Sequence, residues 1–185
     1  AFKDSFLVRF LVTKPGEQEE IVDTKNYYGN ATIERTTVVP NTEYPEILER
    51  MSREGHLIGN HTYSHIQLGK DNRTEFKEDL KKAGELITSV TGEEGLFVRP
   101  PFGKWDKELE QELNMFEVLW SVDPKDWNKS NASEIARAVL EKVKPGDIIL
   151  LHDQFASSVE AAFLIVDQLT EQGYEFVAVD EILLD

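Results

Sequence analysis

Along the chain, stretches with apolar residues every third or fourth position alternate with short apolar runs, and turn residues separate the two. Ser5 to Thr13 is apolar on both faces and predicts a strand. Lys14 to Asn30 is polar and acidic, with a Pro15-Gly16 turn, and predicts a loop with at most one helical turn around Gln18 to Val22. Ala31 to Val39 is rich in β-branched residues and predicts a second strand, although Glu34 and Arg35 interrupt its interior.

From Pro40 onward the periodicity is cleaner. Thr42 to Glu54 predicts a helix with Ile47, Leu48 and Met51 on one face and Gly55 as its stop. A short strand, His56 to Gly59, follows. Asn72 and Glu75 have the spacing of a capping box for a helix running to about Val90, its core face formed by Phe76, Leu80, Ala83, Ile87 and Val90. Leu96-Phe97-Val98 is a strand, Arg99 to Gly103 a proline-bound loop, and Asp106 to Asn114 a short helix. Val118 to Val122 is a strand and Asp123 to Trp127 a loop. Ser130 or Asn131 caps a helix to Val143, with Ile135, Val139, Leu140 and Val143 facing inward. Ile148 to Leu151 is a fully apolar strand. Ser158 to Thr170 is a helix, Tyr174 to Val179 a strand, and Asp180 to Leu184 a closing helical turn. Repetition of strand, loop and helix from residue 55 predicts an α/β fold built on a parallel sheet or barrel, as a single domain over residues 1–185 whose stretch before residue 40 is atypical.

The 185 residues are 40% hydrophobic, enough for one filled core. A net charge of -15 and an isoelectric point near 4.7 disfavour nucleic acid and anionic membrane as partners. There are no cysteines, so a metal site must use histidines and carboxylates. The apolar run near the start, Phe6 to Val12, contains an Arg and is too short to span a bilayer. No signal peptide is recognisable there, and an export signal or anchor is expected outside this stretch.

The unusual polar residues fall at the ends of successive predicted strands. His61 and His65 follow the first, in Gly59-Asn60-His61-Thr62-Tyr63-Ser64-His65. Their spacing puts both on one face of a helical turn, where two imidazoles can converge on a metal. Arg99 follows the next strand, Asp123, Asp126 and Trp127 the one after, and His152 and Asp153 the fourth. In a parallel barrel the carboxyl ends of the strands form one rim, where active sites lie. Singly, each residue has an ordinary alternative. The two histidines read as exposed loop residues, Arg99 as a surface ion pair, Asp126 as a helix cap, Trp127 as core and His152 as a buried, satisfied histidine. None of these accounts for the shared position. His56 opens a strand and carries no partner signal.

These residues resemble the polysaccharide deacetylases of the NodB homology domain, carbohydrate esterase family 4 (CE4). Four motifs stand in order: His61-Thr62-Tyr63-Ser64-His65 for H-[ST]-x-x-H, Arg99-Pro100-Pro101-Phe102 for R-x-P-[FY], Asp123-Pro124-Lys125-Asp126-Trp127 for D-x-x-D-W, and Leu150-Leu151-His152 for L-x-H. The resemblance covers roughly Pro45 to the C-terminus. It implies a deformed (β/α) barrel and metal-dependent removal of N-acetyl groups from an N-acetylglucosamine polymer, peptidoglycan first and chitin-type oligomers second. His61 and His65 would hold a divalent metal, zinc or cobalt, which polarises the acetamide carbonyl and lowers the pKa of water from about 16 toward roughly 7. His152 would be the general acid and Asp126 would orient it. The Phe102 N–H would steady the oxyanion. Trp127 and Leu150 would line a pocket for the acetyl methyl. A monomer located outside the cell or on its surface is the matching expectation.

One motif departs. The family opens on T-F-D-D, whose first Asp is the base and whose second is a metal ligand. The nearest match here is Ala1-Phe2-Lys3-Asp4. Asp4 then supplies the third metal ligand, and Lys3 stands where the base belongs, leaving Arg99 without the carboxylate it would brace. A protonated lysine is a poor base beside a metal. Two alternatives stay open: Asp23 or another carboxylate completes the site, or the chain is an impaired relative that binds glycan. A metal-independent serine hydrolase lacks support, because no Gly-x-Ser-x-Gly is present.

Overall fold

The computed structural model describes residues 45–152 and 155–179, together with three short strands, β1 (Leu7–Arg9), β2 (Leu11–Thr13) and β3 (Glu34–Thr36). Of the expected first strand, residues 7–9 and 11–13 are described and are strand; of the second, 34–36. The loop at 14–30 with its helical turn, and the closing turn at 180–184, lie outside the described residues. The fold mixes helix and strand and divides into two compact units. One contains residues 35–119; the other contains residues 120–179 with β1 and β2. No helix among the described residues is long and apolar enough to cross a membrane.

In the first unit, α1 (Pro45–Arg53) and α2 (Arg73–Thr91) pack through Leu48, Met51, Ala83 and Ile87, with Ile58 between them. Helix α2 ends where expected, at Gly92 in the left-handed conformation (φ 76°). Its start differs. Asn72 precedes the helix but makes no side-chain cap; its Oδ1 accepts from the Gly69 N–H at 2.7 Å and its Nδ2 donates to the Gln67 carbonyl at 3.0 Å. The capping box is not formed because the preceding loop claims the side chain. Beyond α2, β4 (Phe97–Val98) runs parallel to β5 (Phe116–Glu117), and Phe76, Leu80, Val98 and Leu109 form a second cluster under them. Leu109 lies on α3 (Lys107–Leu113), capped by Asp106, whose side chain accepts from the Glu108 N–H at 3.0 Å.

The expected strand at 56–59 is absent. Asn60 alone pairs in parallel with Val98, its N–H donating to Phe97 O at 2.7 Å and its carbonyl accepting from the Arg99 N–H at 2.8 Å. The strand expected at 118–122 is also displaced: β5 begins at Phe116, and Val118 continues the ladder by donating to Val98 O at 2.8 Å.

The second unit is built on α4 (Ala132–Leu140) and α5 (Ala156–Glu171). Ile135, Ala136 and Val139 of the first pack with Ala161, Ala162, Ile165 and Leu169 of the second, and Val122, Ile149 and Leu151 complete the core. Asn131, not Ser130, caps α4: its side chain accepts from the Glu134 N–H at 3.0 Å. The helix stops at Leu140 rather than Val143. In the apolar run 148–151, Ile148 and Ile149 are both bridge residues, Ile149 pairing in parallel with Val122, and Leu150 N–H donates to Val122 O at 2.9 Å. Strand β6 (Glu175–Val177) pairs antiparallel with β2, a departure from the all-parallel expectation. Antiparallel pairing needs no crossover helix, so periodicity that infers parallel order from βα alternation misses it.

Candidate active site

In the first unit, His61, His65, Arg99 and Phe102 come together. The two histidines do not sit on a helical turn, as the spacing suggested. Residues 61–65 are irregular, and Thr62 (φ 63°) and His65 (φ 57°) adopt the left-handed conformation. That conformation is uncommon for a β-branched residue and costs on the order of 1–3 kcal/mol where it persists. The imidazoles nonetheless converge, with ring centroids 4.9 Å apart and nearly edge to face. His61 Nδ1 hydrogen-bonds the Arg99 carbonyl oxygen. A carbonyl only accepts, so Nδ1 carries the proton and Nε2 carries the lone pair, as a metal ligand requires.

The loop is held from outside the motif. Asn60 is fully buried; its Nδ2 donates to Leu80 O at 2.8 Å and its Oδ1 accepts the Thr62 N–H at 2.9 Å. Asp79, on α2, accepts the Tyr63 and Ser64 N–H groups, both at 2.8 Å, and the Ser64 hydroxyl at 3.0 Å. Neither residue was marked by sequence reasoning. Asn60 adjoins the first histidine, which is a weak signal. Asp79 lies among the charges of a helix surface, which is no signal at all.

Arg99 is 2% exposed, and its Nε and Nη2 donate to the carbonyls of Val118 (2.8 Å) and Leu119 (3.2 Å). Its guanidinium thereby ties the end of β4 to the segment after β5. Phe102, 61% exposed, lies in the short 3-10 turn Pro101–Gly103 at φ 59°, its ring edge-on to His65 with centroids 5.0 Å apart. The Pro100-Pro101 pair fixes the chain on the way into this turn.

In the second unit, Asp126, Trp127, Leu150 and His152 lie on the two segments joined by the Val122–Ile149 bridge. Asp123 Oδ1 accepts the Lys125 N–H at 2.7 Å, and Lys125 turns the chain through φ 55° into a 3-10 turn that begins at Asp126. Asp126 is 0% exposed. Its Oδ1 meets His152 Nδ1 at 2.8 Å and its Oδ2 accepts the His152 N–H at 2.6 Å. Ring orientation and tautomer are thereby set together, with Nδ1–H toward the carboxylate and Nε2 left for proton transfer. Burial pushes the Asp126 carboxyl upward, but the hydrogen bonds and charge of His152 outweigh it, with the Ser158 hydroxyl acting in the same direction, and hold it below its ordinary value of 3.8. Ser158, 1% exposed at the first turn of α5, was not anticipated from sequence. Trp127 is 54% exposed and Leu150 is buried.

A carboxyl with a lowered folded pKa stabilises the fold above its unfolded value; that contribution disappears as pH falls below about 3.8 through the lowered value. Asp126→Asn cannot ionise. The advantage of the unsubstituted chain over this variant should be full at neutral pH and shrink on acidification through that range, as read by thermal melting across pH. A gap that stays constant into acid would contradict the assignment.

Two imidazoles, one with its tautomer set by a carbonyl, fit two ligand positions of a divalent metal. Among the described residues no group of three His, Cys, Asp or Glu is placed to hold an ion. The expected third ligand, Asp4, its alternative Asp23, and Lys3 at the position of the base lie outside the described residues.

Comparison with known proteins places the chain in a family. The sequence profile of the polysaccharide deacetylase family matches residues 16–118. The peptidoglycan-N-acetylmuramic acid deacetylase PdaC of Bacillus subtilis is 35% identical over 170 residues, 91% of this chain and 36% of that protein. A peptidoglycan-N-acetylglucosamine deacetylase of Bacillus cereus is 38% identical over 142 residues, 73% of this chain and 52% of that one. The chain thus spans between about a third and a half of these curated relatives. The solved structure of PdaC superposes with a TM-score of 0.71 at 37% identity, covering 75% of this chain and 68% of that one. A Clostridium thermocellum family 4 acetyl xylan esterase in complex with a cobalt ion gives a TM-score of 0.71 at 29% identity, with 78% and 72% coverage. A CE4 family pseudoenzyme from Bacillus anthracis gives 0.69 at 26% identity, with 76% and 51% coverage. With more than half of its length matched by the family profile and relatives 35% and 38% identical over 91% and 73% of its length, the chain belongs to the polysaccharide deacetylase family.

Proposed function

We propose that the chain is a metal-dependent hydrolase that removes N-acetyl groups from N-acetylglucosamine-containing polysaccharide, with peptidoglycan as the preferred polymer. The observation that carries this reading is the His152–Asp126 couple, an imidazole held through Nδ1–H and its own N–H by one buried carboxylate. The two curated relatives, from Bacillus subtilis and Bacillus cereus, are peptidoglycan deacetylases by name, which favours that substrate over chitin-type oligomers. The same likeness supports a deformed (β/α) barrel working outside the cell or on its surface; our reading takes it as one domain over residues 1–185 and as a monomer.

His61 and His65 would hold the ion, zinc or cobalt, with Asp4 as third ligand. When bound, a divalent metal would polarise the acetamide carbonyl and acidify water. His152, protonated on Nε2, donates that proton to the departing amine nitrogen as the C–N bond breaks. Asp126 keeps the ring in place and stabilises the imidazolium. The Phe102 N–H donates to the developing oxyanion. Trp127 and Leu150 line the pocket for the acetyl methyl. Arg99 fixes the backbone carbonyl that orients His61.

Lys3, where the family carries its base, favours a second reading: an impaired relative that binds glycan without turning it over. A likeness to a CE4 pseudoenzyme is consistent with it. Incubation of the metal-loaded chain with peptidoglycan fragments, followed by mass spectrometry, separates the two. Deacetylation should appear on glucosamine residues. Saturable binding that survives His152→Ala, with no loss of acetyl from either sugar, would support the second reading instead.

A further inference from the structure

We infer that Asp79 is a positioning residue for the His61–His65 pair, and that its carboxylate sets how tightly the chain holds a divalent cation. This rests on the metal reading proposed above.

The segment between the histidines has little backbone support of its own. Two of its residues, Thr62 and His65, are left-handed, and a strained stretch of this kind persists only where its surroundings over-determine it. Those surroundings are α2. One oxygen of Asp79 accepts two successive amides, Tyr63 and Ser64, and the other takes the Ser64 hydroxyl. One residue further on, the Leu80 carbonyl anchors Asn60, which in turn holds the Thr62 amide. The Lys82 ammonium lies 3.5 Å from the centre of the Tyr63 ring. Three consecutive amides, 62 to 64, are therefore fixed by side chains, two of them by Asp79.

Hydrogen bonds to an ionised carboxylate are shorter and stronger than neutral ones. Without Asp79 the amides of Tyr63 and Ser64 lose their acceptor, and both left-handed residues can relax toward ordinary backbone conformations. The imidazoles on either side of these amides would then no longer hold their 4.9 Å spacing. A purely structural Asp79 would instead show itself in the melting temperature, with or without metal.

The test is zinc affinity of the metal-stripped chain, measured by competition with a chromophoric chelator, beside the melting temperature of the metal-free protein. Asp79→Ala should weaken zinc binding by about tenfold to a hundredfold. Asp79→Asn, which keeps a carbonyl oxygen for the two amides, should recover most of that loss. Glu78→Ala, at an exposed neighbour on the same helix, should bind as the unsubstituted chain does. Unchanged affinity in Asp79→Ala overturns the inference, as does a loss of metal-free stability that Asp79→Asn fails to repair. Should Asp79→Ala not fold, Ser64→Ala decides: a few-fold loss of affinity supports the inference and unchanged affinity overturns it. An unsubstituted chain that binds no zinc overturns the metal reading as well, whereas normal zinc binding with an indifferent Asp79 overturns this inference alone.

Discussion

His61→Ala should abolish zinc or cobalt binding and, with it, acetate release. The two imidazoles lie 4.9 Å apart, and His61 is the one whose tautomer is set by a backbone carbonyl. Removing an outer-shell partner of a metal typically costs 10–100-fold in affinity, and removing a ligand should cost more than that. Near-complete loss is therefore expected, read as metal content after dialysis against the free ion. His61 is half-buried and makes no contribution to the apolar clusters, so the melting temperature of the metal-free variant should stay close to that of the unsubstituted chain. Metal retained at full stoichiometry in His61→Ala would mean that other residues hold the ion.

His152→Ala should leave metal content intact and lower kcat by roughly 10²–10⁴-fold, the usual contribution of a positioned general acid. In barrier height this is about 3–5 kcal/mol. KM should change little, because the imidazole acts on the departing nitrogen and not on the rest of the glycan. A variant that loses metal together with rate would place His152 among the ligands instead. The variant also exposes what Asp126 is held for. With the ring gone, the carboxylate keeps its burial and the backbone N–H of residue 152 but loses the Nδ1–H that meets it at 2.8 Å, so the chain should also become less stable at neutral pH.

Much of this was legible in the sequence because the informative residues punctuate apolar periodicity. Phe76, Leu80, Ala83 and Ile87 recur at helical spacing, and all four are buried on α2. Asn131 caps α4 as a short polar residue before an apolar face should. His152 was visible for a related reason: a histidine directly after four apolar residues, Ile148 to Leu151, is conspicuous. Strand lengths were not legible, since an apolar run such as Ile148 to Leu151 fills a core whether or not all of its residues join a ladder. Nor was the shape of the His61–His65 loop. An i,i+4 pair reads as a helical turn, and only the tertiary anchors at Asn60 and Asp79 reveal that left-handed residues accomplish the convergence. Asp79 and Ser158 escaped notice because one looks like a solvated helix charge and the other like an ordinary helix-start serine. Nothing local marks Asp79 as the partner of residues many positions away, or Ser158 as a buried hydroxyl acting on the Asp126 carboxyl.

The central claim is that a single bound ion and the His152–Asp126 couple together turn over an N-acetyl group. Acetate release from an N-acetylglucosamine oligomer, followed as zinc or cobalt is titrated into the metal-free chain, tests it most directly. The rate should rise from the metal-free baseline and level off at one ion per chain. Full metal binding with acetate remaining at the baseline throughout would contradict it.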